Sequence, residues 1–263
     1  MELTQQEILA LDPKLVSAAD KKAYIDLLYG SPSEWTRKRD LELVSANMDR
    51  WKRFLANEPA SGQPFHIGHQ QLMWDAKHRT PIAVGGSVSN FTDWIYRLYI
   101  PQKDYASLVR GLRVERDIAI QKIQVPNHSR WKLIHNGMGD NAKNAFPIAA
   151  LTINGAPMRG SPDLVFQEKD TRRILIVEIK VTEKDIPSDG WPNMRAQLWA
   201  YSQIDKWKDA PEVILVGELW GFSPLRWRKV IRWRRGEKQF EQENTELFDC
   251  YRAFATASAH VKC

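Results

Sequence analysis

The stretch from Ile148 to Val181 constrains this chain more than any other. Two β-rich runs, IAALTI (148–153) and MRGSPDLVF (158–166), flank an Asn154-Gly155 pair, and a third, RILIVEIKV (173–181), follows the polar segment 167–172. Asn-Gly readily supplies the two positive-φ positions of a tight hairpin turn, so the first two runs are expected to pair, with Pro157 the weak point. A helix is expected over about 192–206. Beyond it come a buried strand, VILVGELWG (213–221), a strand with one basic face, RKVIRWRR (228–235), and a closing helix over 243–256. This order predicts an α/β fold with a mixed central sheet.

Upstream the periodicity is helical. Leu9, Leu11, Leu15, Tyr24, Leu27 and Leu28 recur at helix-compatible spacing, and a short helix is expected over Gln70 to Lys77. Tyr105, Leu108, Leu112, Ala119 and Ile123 share one face of a helix that follows Asp104 and ends before Pro126. Residues 126–145 read as loop. The turn formers of 57–64 separate a helical N-terminal extension (1–62) from the main domain (63–263).

Composition narrows the function. At 263 residues, 43% hydrophobic and 27% charged, the chain is not mainly disordered. Its apolar runs are too short to span a bilayer, and MELTQQEILAL lacks the basic start and apolar core of a secretory signal. Cys250 and Cys263 cannot build a disulfide framework or a four-thiolate cluster, so a reducing cytoplasm is expected. Lys plus Arg total 38 against 32 Asp plus Glu, a net +6 that suits a polyanion, nucleic acid first, although many soluble proteins carry as much.

The chemistry concentrates in Pro162-Asp163 and Glu178-Ile179-Lys180. Within a strand Glu178 and Lys180 point to one face and Ile179 to the other. A hairpin centred between Asp170 and Thr171 sets position 163 opposite 178, with Cβ atoms about 4.5–5.5 Å apart. Carboxylates so close repel unless a cation lies between them, and oxygen ligands suit Mg²⁺ or Mn²⁺. Lys180 then stands where an ammonium can orient water or balance negative charge. An ordinary surface hairpin with a Glu–Lys face has the same spacing. Glu115 lies on an apolar helix stripe, where it either pairs with a buried arginine or binds metal. Gln197 and Tyr201, four apart, share a helix face. They can contact catalytic groups or a phosphate backbone, or can be a satisfied amide and a core tyrosine. Arg226, Trp227, Arg228, Lys229, Arg232, Trp233, Arg234 and Arg235 mix cations with aromatics and suit phosphates and unpaired bases. The alternative is an edge strand with a solvated basic face. His66 and His69 lack a third metal ligand, and Asp140 reads as a turn residue.

Taken in order, RGLRVE (110–115), RGSPDLV (159–165), IVEIK (176–180) and QLWAY (197–201) resemble the motifs of the PD-(D/E)xK nuclease superfamily, in its RecB nuclease-domain and lambda-exonuclease-like branch. More loosely, GGSVSNFTDWIYR (85–97) resembles the Ser-Val-Thr-type opening of phage and mitochondrial members. The resemblance spans roughly residues 85–256. It implies a restriction-endonuclease-like mixed sheet flanked by helices, and Mg²⁺-dependent hydrolysis of DNA phosphodiester bonds, with Mn²⁺ substituting. Asp163 and Glu178 would be the metal-binding carboxylates, joined by the Ile179 carbonyl and by Glu115. Lys180 would position the water, and Gln197 and Tyr201 would orient the site or the strand. Arg226, Arg228, Lys229, Arg232, Trp233 and Arg234 would hold the nucleic acid.

The implied activity is an exonuclease of recombination, repair or phage DNA processing. A structure- or sequence-specific endonuclease, and a non-catalytic nucleic-acid-binding module on a degenerate nuclease fold, remain open. The expected partners are single- or double-stranded DNA, a second copy of the chain or a recombination protein, and no membrane. The expected setting is the cytoplasm of a bacterial or phage-infected cell, with nucleus and mitochondrion also open. The chain lacks the four cysteines of iron–sulfur-bearing CRISPR-associated relatives, and without a Gly-Lys pair it carries no P-loop motor.

Overall fold

Strands form where β-branched runs meet turn signals, and they join into a five-stranded central sheet and a separate two-stranded one. The computed structural model describes residues 62–78, 85–100, 131–137, 145–222 and 225–260. In chain order these contain α1 (His69–His78), α2 (Val88–Tyr99), β1 (Trp131–Asn136), β2 (Phe146–Ile153), β3 (Ala156–Gly160), β4 (Leu164–Glu168), β5 (Ile174–Val181), α3 (Pro192–Ser202), a 3₁₀ turn (Asp205–Trp207), β6 (Val213–Phe222), β7 (Leu225–Arg234) and α4 (Lys238–His260). The sheet runs β1-β4-β5-β6-β7, with β5 and β6 parallel and the other neighbours antiparallel. Parallel neighbours need a crossover, and α3 is part of it. The α/β class and mixed sheet flanked by helices are as expected, in the layout that a restriction-endonuclease-like core implies. Among the described residues no helix is long and apolar enough to cross a membrane.

β5 is buried on both faces from Ile174 to Ile179, as a central strand beside a parallel partner should be. On one face Val165, Ile174, Ile176, Leu215 and Ile231 pack into a core shared with Met194, Leu198 and Trp199 of α3. On the other face Leu164, Phe166, Leu175, Val177, Ile179, Val216 and Trp220 are also buried. Phe91 of α2 joins the helices, with ring centroids 6.4 Å from Trp199, 5.6 Å from Phe248 and 5.3 Å from Tyr251. Ser87 caps α2 by accepting from the Asn90 amide at 3.1 Å. The Tyr99 hydroxyl donates to Asn193 Oδ1 at 2.6 Å and ties α2 to α3.

Four expectations need correction. Residues 126–145 are not all loop: Trp131–Asn136 is β1, an edge strand paired with β4. Its residues lack clean alternation, and pairing rather than local pattern makes the strand. The run 158–166 is not one strand. β3 ends at Gly160 in a separate two-stranded sheet with β2, and β4 starts at Leu164 in the central sheet. Pro162, without an N–H to give a ladder, sits at the break. The helix of 192–206 stops at Ser202, and the closing helix begins earlier, at Lys238. The Asn154-Gly155 hairpin forms as expected, with φ of 50° and 78° at the two turn residues. The N-terminal extension, the helix after Asp104 with Glu115, and Asp140 lie outside the described residues.

Gly160 closes β3 against the helical layer. A Cβ there would stand 2.8 Å from both Tyr201 Cε1 and Val88 Cγ2. Gly160→Ala should therefore lose about 1–3 kcal/mol of stability through overpacking, measured by urea unfolding.

Candidate active site

The site begins with a register. Leu164 pairs with Val177, Val165 with Ile176 and Phe166 with Leu175. The register is centred between Asp170 and Thr171, as the hairpin reading predicts, and one further step would set Asp163, just before β4, across from Glu178. The Ile179 amide donates to Asp163 Oδ2 at 2.8 Å, so the aspartate side chain bridges the two strands directly. Lys180 Nζ lies 2.6 Å from Glu178 Oε1 on the same face of β5. Ile179 points away and is fully buried. Asp163 is 9% exposed and Glu178 1%, so both carboxylates sit at the base of the site rather than on its rim.

α3 roofs this pair. Gln197 Nε2 donates to the Tyr201 hydroxyl at 3.0 Å, and Tyr201 is buried. Burial first, then the negative charges of Glu178 and Asp163, raise the Tyr201 phenol well above its ordinary range. Tyr201 is thus both packed and electrostatically coupled to the acidic pair, which joins the two alternatives open for it in the sequence.

Two contributors escape the sequence pattern because β1 does. Gly137, just past β1, donates its amide to the Asp163 carbonyl at 2.9 Å. His135 Nε2 lies 3.2 Å from Ser161 Oγ. Both residues meet the 161–163 corner only through the antiparallel pairing of β1 with β4, in which His135 faces Val165.

The basic segment of β7 does not form one nucleic-acid-binding face. Trp233 is 7% exposed and stacks on Phe240 at 5.7 Å, so it belongs to the core. Arg228 donates to the carbonyls of Thr182 at 2.6 Å and Lys184 at 2.9 Å, strapping down the segment after β5. Arg235 likewise binds the carbonyls of Trp207, Lys208 and Ala210. Lys229 pairs with Leu219, and Leu219 with Lys180, so Lys229 shares the acidic pair's face. Arg232 and Arg234 pair with Val216 and Ile214 and lie on the opposite face, with Arg234 3.3 Å from Glu212. Arg226 lies in β7 opposite Gly221.

Among the described residues no group of three or more His, Cys, Asp or Glu side chains is arranged to hold a metal. Asp163 and Glu178 supply a pair of oxygen donors, chemistry that suits a hard divalent cation. Glu115, the expected third carboxylate, is outside the described residues. His69 pairs with Glu246 at 2.8 Å, away from the acidic pair. A separate cavity of about 430 Å³, bounded by Phe65, His69, Arg195, Trp233 and Phe240, includes none of Asp163, Glu178 or Lys180.

No protein-family model matches the chain. No curated protein matches it either. The crystal structure of SSO0001 is similar over 68% of this chain and 82% of its own, at 13% identity and a TM-score of 0.29. So weak a likeness carries no argument about function.

Two expectations follow from these environments. Trp233→Ala should cost about 3–5 kcal/mol in urea unfolding. Tyr99, Tyr201 and Tyr251 all have phenols raised above the ordinary 10.0. The folded state then holds these protons more tightly than the unfolded state. Their stabilisation is full below the unfolded value of 10.0 and is lost as pH rises through the folded values. Stability should fall on alkaline titration above that point, and Tyr201→Phe should flatten the fall.

Proposed function

We propose that the chain is a divalent-metal-dependent DNA nuclease, an exonuclease of recombination, repair or phage DNA processing. One observation supports this above all. Asp163 and Glu178 are both buried, Asp163 accepts at 2.8 Å from the amide of Ile179, the residue after Glu178, and the Lys180 ammonium lies 2.6 Å from Glu178. Burying two like charges is costly unless positive charge shares the space, and a site that keeps both has a use for them.

Asp163 and Glu178 are the residues that would hold Mg²⁺, with the Ile179 carbonyl beside them in the chain and Mn²⁺ as a substitute. A divalent ion bound there supplies Lewis-acid polarisation of a phosphoryl oxygen and a more acidic water. The protein's own groups do the rest. Lys180 presents an ammonium to the attacking water or to charge growing on the phosphate. Tyr201 keeps its proton, and Gln197 fixes the direction of its hydroxyl. Lys229, on the same face, offers a contact to a neighbouring phosphate, so binding should weaken as salt rises.

The test uses labelled linear, closed circular and single-stranded DNA with Mg²⁺, Ca²⁺ or EDTA. Linear DNA should be degraded with Mg²⁺, the closed circle should stay intact, and EDTA should stop the reaction. Asp163→Ala should lose cleavage. Lys180→Ala should lose about a hundredfold or more in turnover while still binding DNA. Normal turnover by Asp163→Ala with Mg²⁺ defeats the proposal. A cut circle identifies an endonuclease on the same site, and no cleavage with Mg²⁺ or Mn²⁺ identifies a non-catalytic nucleic-acid-binding module.

A further inference from the structure

We infer that His135 is a positioning residue, holding the Ser161-Pro162-Asp163 corner so that the Asp163 carboxylate stays within reach of Glu178. Its importance for turnover rests on the nuclease reading, whereas its effect on the corner stands on geometry alone.

The corner is unusual in what it must do. The chain leaves the β2–β3 hairpin at Gly160 and enters the central sheet at Leu164, and Asp163 takes its position in that gap. Pro162 cannot donate a backbone hydrogen bond, so the ladder alone does not fix the corner. Three residues hold it instead. The Ile179 amide holds Asp163 Oδ2 from the β5 side at 2.8 Å. The Gly137 amide holds the Asp163 carbonyl from the β1 side at 2.9 Å. His135 binds the two residues before Asp163, with Nε2 3.2 Å from Ser161 Oγ and a further hydrogen bond to the Pro162 backbone.

The imidazole suits this task in its neutral form. Burial, and then the nearby Lys206, lower its pKa below the ordinary 6.5, which favours the neutral ring. A neutral ring has one donor and one acceptor. One ring nitrogen can therefore donate while the other accepts, which lets a single side chain serve both Ser161 and the Pro162 backbone. The ring is itself braced edge-on by Phe146, with centroids 4.8 Å apart. The fit is close. A Cβ on Gly137 would overlap the Pro162 carbonyl oxygen, so β1 and the corner approach at backbone distance. Neither β1 nor the corner can shift alone.

The experiment compares the full-length protein with His135→Ala, His135→Gln and Lys132→Ala, the last at an exposed site on the same strand. One readout is the amide resonance of Ile179, which reports its hydrogen bond to Asp163 without requiring activity. The others are Mn²⁺ binding followed by titration, and kcat and KM on linear DNA. His135→Ala should move the Ile179 resonance, weaken Mn²⁺ binding about tenfold and lower kcat to a similar degree, with KM little changed. His135→Gln, which keeps a donor and an acceptor, should recover most of all three. Lys132→Ala should match the wild type. An Ile179 resonance unmoved in His135→Ala overturns the inference whatever the activity. So does unchanged Mn²⁺ binding and kcat in that variant when Asp163→Ala abolishes both. A wild-type protein that neither binds Mn²⁺ nor cleaves DNA, yet shows the Ile179 shift in His135→Ala, overturns the nuclease reading and leaves the positioning role standing.

Discussion

The pairing register of β4 against β5 carries the rest of the site. A strand alternates its side chains with period two, so a slip of one residue would send Asp163 or Glu178 to the wrong face of the sheet. The pairs Val165–Ile176 and Phe166–Leu175 resist a slip on both faces at once, because each member is buried. The turn end of the same hairpin is fastened separately. Glu168 is fully buried and lies 2.6 Å from Arg173 Nε, and Arg173 also reaches Glu212 at 3.0 Å. That clamp joins the turn to the residue before β6. The acidic pair at one end of the hairpin therefore depends on apolar packing along it and on an ion-pair network at the other.

Burial gives the acidic pair its electrostatic character. α3 brings Tyr201 over Asp163 and Glu178 and excludes solvent, which strengthens each charge as felt by its neighbours. The helix reaches this position because Gly160 has no side chain to hold Tyr201 off. Lys180 and Lys229 lie on the same face, with Lys229 Nζ 3.4 Å from the Ile186 carbonyl oxygen, while Arg228 straps backbone carbonyls and Arg232 and Arg234 lie on the other side. The net +6 of the chain is thus a poor guide to where a polyanion would lie.

Much of the central architecture could be read directly. The Asn154-Gly155 hairpin, β5, β6, β7, α3 and the face shared by Glu178 and Lys180 all follow local rules of turn chemistry and period-two alternation. The break at 161–163 was hidden because MRGSPDLVF is apolar enough to pass for one strand, although its two halves belong to different sheets. β1 was hidden because WKLIHN has an exposed leucine and no clean alternation, so His135 and Gly137 were hidden with it. A tryptophan among arginines suggests base stacking, whereas alternation along β7 turns Trp233 into the core.

Local sequence, then, determined which residues could carry the chemistry: two acids and a lysine at a spacing that a hairpin converts into proximity. It could do so because strand periodicity and turn preference act over a few residues. Only the tertiary structure decided that the two acids are buried, that Tyr201 packs against them, and that an edge strand braces the corner bearing Asp163. Those outcomes depend on contacts between segments distant in the chain, where packing and desolvation rather than local conformational preference set the energy.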